Sequence, residues 1–221
     1  MNEKKSFSCE LALILAIIIN SFAVSLISKS NFGITTLSSV PLVLSNIFTW
    51  LSFGTWNFII QSATIFILVS LTKHFKIGYL LSFLVAIIFG ALLDVNKIIM
   101  LSWSDSFFWR TLYFLVGLLL LSIGASLFIK CKLPALPFDS FIRDMTEHLK
   151  MPIKKVKTIF DFIFVFITLA LSLSMLGYID GVGIGTIIGA LFTGTITNYI
   201  CDYLDQKFIF HIKVPFLRKF S

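Results

Sequence analysis

The sequence predicts an all-α transmembrane fold: a six-helix bundle built from two inverted three-helix repeats, each with an extra short non-spanning helix. Three observations predict it. Only 13% of the 221 residues are charged and 57% are hydrophobic, whereas a water-soluble domain carries about 25% charge. Six apolar runs are each long enough to cross a bilayer. The chain also echoes itself at a separation of 101 positions, so that Ser25, Leu26, Lys29 and Ser39 fall on Ser126, Leu127, Lys130 and Ser140.

A spanning helix needs about 20 mostly apolar residues to cross a hydrocarbon core about 30 Å thick. The runs that meet this are Ser8 to Ser28, Phe53 to Thr72, Ile77 to Val95, Phe108 to Ile129, Ile159 to Gly177 and Val182 to Tyr203. Lys4 and Lys5 precede the first, as in a secretory signal. The run is long for a signal core and no small-x-small site closes it, so a retained helix is expected. With the N-terminus inside, fifteen of the eighteen Lys and Arg residues fall in cytoplasmic segments, leaving Lys29, Lys97 and Arg110 outside. Basic loops resist translocation, so this bias places both termini in the cytoplasm. Trp50, Trp56, Trp103 and Trp109 gather near span ends on the opposite, outer side, where interfacial tryptophans belong.

Two segments are read as non-spanning. Residues 36–49 follow the first span, are free of charge, and would form a helix of about 21 Å, too short for the core. A crossing there would also reverse the charge bias. Residues 138–150 form the counterpart, with Phe138, Phe141, Ile142, Met145 and Leu149 at helical spacing and charges opposite, capped by Asp139 or Ser140. The chain thus divides into a first repeat, 1–104, a second, 105–205, and a basic aromatic tail, 206–221, read either as lying on the inner leaflet or as poorly ordered. Because each repeat makes an odd number of crossings, the halves are expected to be inverted. That arrangement recurs in secondary transporters with a site between the repeats; a bundle made by duplication without transport is the other reading.

The strings "SNFGITTLSSVPLVLS", "LSFGTWNFIIQ", "LPFDSF", "KVKTIFDFIFV" and "GVGIGTIIGALFTG" resemble the YitT/YczE (YyaS) family of bacterial membrane proteins, over about residues 10 to 205. The resemblance implies a multi-pass protein of the bacterial plasma membrane.

Ionisable groups inside a span cost about 2.5 to 3.5 kcal/mol at its centre and are functional candidates for that reason. Asp161 lies in span five and Asp94 in span three; an interfacial carboxylate is the alternative role for both. Gln61 matches Asp161 at a separation of 100. Asn20, Asn57 and Asn198 suit helix-to-helix hydrogen bonds. In span six, Gly185, Gly189, Thr193 and Thr197 form one ridge and Thr186, Ala190, Gly194 and Asn198 the next, either a packing face or the lining of a solute path. The three cysteines are read as thiols, and the three histidines lack metal-ligand spacing. No nucleophile and base cluster in a recognisable motif, so no enzyme is expected, and no cofactor or metal site.

The expected function is a small-solute permease, a secondary transporter whose substrate-binding residues are Ser38, Ser39, Gln61, Asp139, Asp161, Thr193 and Asn198. Two rivals stand beside it: the substrate-binding membrane subunit of a multi-component transporter, and a scaffold or regulatory protein that transports nothing. The expected partners are the lipid bilayer and an unknown small solute, with no nucleic acid; a second copy of the chain or a partner ATPase is left open.

Overall fold

The structure is a computed structural model that describes residues 5–131, 133–134 and 136–214. A short strand β1, Lys5–Ser8, leads into α1, Cys9–Ser30, and a five-residue connection leads to the short α2, Thr36–Ile47. There follow α3, Phe53–Thr72, and α4, Gly78–Ile99, which ends in a 3₁₀ turn, Met100–Ser102. The second half repeats the order with α5, Phe107–Cys131, the short α6, Pro137–Leu149, α7, Ile153–Leu171 with a π turn at Ser172–Leu176, and α8, Ile184–Lys207. Strand β2, Phe208–His211, closes the described chain. Six of these helices, α1, α3, α4, α5, α7 and α8, are long and apolar enough to cross a membrane. Their outer faces carry exposed Phe66, Leu119, Phe166 and Leu191. Apolar surface of that extent is untenable in water and natural in lipid.

Local chemistry sets the helix ends. Ser8 and Ser52 cap α1 and α3 by accepting from the backbone N–H of Leu11 and Thr55. Asn31, Lys73 and Lys150 end α1, α3 and α6 in the left-handed region. The expected cap of α6 is corrected: the helix starts at Pro137, ahead of Asp139 and Ser140, and Leu136 at its N-cap makes no side-chain bond. Proline at the first helical position loses an N–H that would have had no partner there.

Packing divides the helices into two groups. The first centres on α1 against α5, with α4 on α1 and α8 on α5. In the second, α2 packs on α3 and α7, and α6 on the same two helices. Exchanging α1 with α5, α2 with α6, α3 with α7 and α4 with α8 turns α1·α4 into α5·α8, α2·α7 into α6·α3, and α2·α3 into α6·α7. The relation of α4 to α3 and α6 has no equal in that of α8 to α7 and α2. On α3 and α4, Gly54 and Gly90 touch so closely that a Cβ on Gly54 would stand 1.9 Å from the Gly90 carbonyl oxygen. No such seam joins α7 to α8, where Gly194 has no neighbour within 4 Å of its Cβ position. The buried share is 39% for both α3 and α4 and 22% for both α7 and α8.

The described part of the tail is ordered by pairing with the N-terminal segment. Phe208–His211 pairs in parallel with Lys5–Ser8, Ser6 bonds His211 at 2.9 Å, and the N–H of Val214 donates to Glu10 at 2.8 Å. A short apolar run, Phe208 to Phe210, supplies the strand, but only the tertiary fold brings its partner across from the N-terminal side of the chain. Tail residues 215–221 lie outside the described residues.

Candidate functional site

The two short helices both begin at α7. Thr36, the first residue of α2, donates its hydroxyl to Asp161 at 2.6 Å. One turn on, Ser39 meets Thr168 at 2.7 Å, and near the end of α2, Asn46 donates to Asp180 beyond the end of α7. α2 therefore runs alongside α7 in the same direction and starts in that helix's third turn rather than at its end. The carboxylate of Asp161 faces the positive end of the α2 dipole, a placement worth up to about 2 kcal/mol when partly buried. Lys157 approaches the same carboxylate at 4.0 Å.

At the start of α6, the Phe138 ring packs edge-on against Phe160 and Phe164, at 6.1 and 5.3 Å, and Phe141 stacks on Phe160 at 4.6 Å. Phe160 and Phe164 flank Asp161 in sequence, so the first turns of α2 and α6 meet on the same two turns of α7. Val40 of α2 joins Phe138, Phe160 and Phe164 in one core cluster. Asp139 stays accessible although protein surrounds it. That crowding pushes its carboxyl above the ordinary range, while Lys157 and Arg143 pull it down. Ser140 faces Ser82 of α4 at 3.2 Å.

On α3, Gln61 and Asn57 are buried, with 1% and none of their surface exposed. Gln61 donates to the Asn57 side-chain oxygen, one turn back. Among the described residues the Gln61 oxygen and the Asn57 amide nitrogen have no hydrogen-bond partner. An unmatched buried polar atom costs about 1–3 kcal/mol. Here a donor and an acceptor stand vacant side by side, on a helix packed against both α2 and α6.

The expected site residues divide accordingly. Ser39 and Asp161 are brought together along α7, buried Ser38 lies on the same first turn of α2, and Asp139 is exposed on α6. Gln61 sits on α3, which packs on both short helices. Thr193 and Asn198 are not brought to them: α8 packs against α5 with Gly185 at Phe114 and Thr197 at Ser126, which leaves Asn198 exposed and Thr193 half-buried. The expectation drew Thr193 and Asn198 from two adjacent ridges, and periodicity alone does not say which one faces protein. Asp94, the other carboxylate candidate, caps α3 by accepting from Ser52 and the Gly54 N–H. Thr36 and Thr168 were missed; a threonine opening a short helix that follows a glycine was the available signal for Thr36. Nothing in the sequence marked the buried bond from Tyr79 to Asp144, which Arg143 and Lys76 reinforce.

The matched family model covers residues 8–202, from the α1 cap almost to the end of α8, and is described as "Family of unknown function (DUF6198)". The chain belongs to this family. A similar protein is an "Uncharacterized protein" of Haemophilus influenzae, 26% identical over 155 residues, which are 69% of this chain and 65% of that protein. The chain therefore spans slightly less than two thirds of that relative's length. No solved structure matches this chain. As a DUF6198 member it is a multispan, membrane-type helical protein, and neither match names a transported solute.

Proposed function

We propose that the chain is a small-solute permease of the bacterial plasma membrane, with both termini cytoplasmic, that works by alternating access between two inverted halves. The observation that carries this reading is the meeting of two helix N-termini on α7 around Asp161, with the vacant Gln61 and Asn57 amide atoms on the neighbouring α3. Short helices that start within the bundle present unsatisfied N–H groups and a positive dipole end to whatever enters, as in transporters with broken helices. The solute is small and polar. Gln61 and Asn57 offer it an acceptor and a donor, Asp161 and Asp139 couple its movement to a proton or cation, and Ser38, Ser39 and Thr36 line the approach. The likeness to YitT/YczE (YyaS) proteins fits the same reading.

The unequal seams supply the motion. In this state α3 and α4 are closed on Gly54 and Gly90, and α7 and α8 are apart. In the alternate state α8 closes on α7 while α4 leaves α3, so each half adopts the other's conformation.

Solute uptake by liposomes, with and without an ion gradient, tests this reading. Gradient-dependent flux lost in Asp161→Asn supports it. Flux that needs an added ATPase means a transporter subunit instead, and absence of both flux and solute binding means a scaffold.

A further inference from the structure

The end of the molecule that carries the four tryptophans holds a cavity of about 390 Å³ between the end of α1, the start of α3 and the end of α4. Its apolar side is Phe53, Met100 and Leu101, and its polar side Ser28, Lys29, Asn31, Lys97 and Asp105. Lys29 is ion-paired to Asp105 at 2.8 Å, but the two are unequally held: the lysine side chain is 19% exposed and the aspartate 74%. Lys97 is exposed and, among the described residues, its ammonium has no hydrogen-bond or ion-pair partner. The side chains of Ser28 and Asn31 are likewise uncommitted among the described residues.

A fixed, mostly covered cation whose counter-ion sits loosely on the surface is a poorly solvated charge, and a better-placed anion gains by replacing that counter-ion. The opposite end repeats the device. Lys130, 19% exposed, pairs with Asp205, 58% exposed, and these positions are 101 and 100 residues beyond Lys29 and Asp105. The same embedded lysine with the same loose aspartate thus closes the first spanning helix of each half.

We propose that this cavity binds an anionic oxygen group, a carboxylate or phosphate on a partly apolar body, which displaces Asp105 and is held between Lys29 and Lys97. Ser28 and Asn31 donate to its remaining oxygens, and Phe53 and Met100 receive the apolar part. The inference goes beyond the permease reading and does not rest on it, because the cavity shares no residue with the site around α7. Binding stands by itself and is measurable without flux.

Trp103 packs in the same small cluster as Met100 and serves as the reporter. The full chain with Trp50, Trp56 and Trp109 changed to Phe is titrated, at constant ionic strength, with inorganic phosphate and separately with hexanoate. A third arm compares nanodiscs of phosphatidylcholine alone with nanodiscs containing phosphatidylglycerol. A saturable change is expected in at least one arm. Saturation by soluble anions assigns a free solute, and saturation by phosphatidylglycerol alone assigns a lipid headgroup. Lys97→Gln is expected to weaken binding at least tenfold, and Asp105→Asn to strengthen it several-fold by removing the competitor. Both residues are exposed, so both variants are expected to fold, which helical circular dichroism checks. No response in any arm overturns the inference. So does weakening by Asp105→Asn, because that is the behaviour of a cation site.

Discussion

Asp144 is 5% exposed and holds three side chains to one point: Tyr79 donates at 2.5 Å, Arg143 at 3.0 Å, and Lys76 stands at 3.2 Å, itself paired also to Glu147 at 3.6 Å. Burial alone would raise its carboxyl, but the bonds from Tyr79, Arg143 and Lys76 outweigh burial and hold it below the ordinary value of 3.8. The folded chain therefore binds this proton less readily than the unfolded one. The stabilisation is complete above 3.8 and is lost as pH falls further, through the lower folded value. Detergent-solubilised protein is expected to melt at progressively lower temperature below that pH, and Asp144→Asn to flatten this dependence. At neutral pH the same variant is expected to cost about 3–5 kcal/mol, since it leaves buried partners unmatched. Gly54→Leu tests the seam: a side chain there collides with the Gly90 backbone, which has no flexible end to move aside. The expected result is a large loss of thermal stability, against little change for Gly194→Ala, where the space is open.

At the scale of elements, the connection from α1 to α2 is the part under tightest control. Gly33 has φ +103, and a Cβ there would stand 2.5 Å from the Gly183 nitrogen. The Phe32 carbonyl accepts from the Gly185 N–H at 2.7 Å, and the Ile34 carbonyl from the Thr186 hydroxyl at 2.7 Å, so this connection caps the N-terminus of α8. Arg110 holds its other side by donating to the carbonyls of Ser30 and Asn31 while lying over the Phe32 ring at 5.0 Å. Gly33→Ala is expected to cost roughly 1–3 kcal/mol through backbone strain alone, before the collision is counted. Thermal unfolding in detergent measures it, and a neutral result would mean that the connection rearranges freely. In the rocking scheme this connection is the hinge through which α8 carries α2.

For the whole molecule, the charge bias and the odd number of spans per half make a statement about sidedness. Cysteine-accessibility labelling checks it cleanly, because the three natural cysteines are buried. His74→Cys is expected to react with a membrane-impermeant maleimide only after cells are opened, and Asp105→Cys to react in intact cells. The reverse pattern would turn the molecule over in the bilayer while leaving its fold untouched.

The sequence by itself determined six spanning helices, two short ones and their order, because hydrophobic length and local capping are properties of contiguous residues. Phe53–Thr72 was read to the residue, whereas α7 begins six residues before its expected start, since Lys154, Lys155 and Lys157 reach out along a helix that hydropathy alone would have stopped. Gln61 and Asp161 stood out in the sequence from the cost of polar groups among apolar ones, whereas their neighbours in the fold did not. Only the tertiary structure decided which ridge of α8 faces protein, that Asp94 caps a helix, that Asp161 meets Thr36, and that the two ends of the chain pair as strands. Each of these depends on which surfaces lie together across a hundred residues or more, or on the angle at which two helices cross. The hydrophobic effect, being non-directional, leaves that choice to shape and to specific bonds.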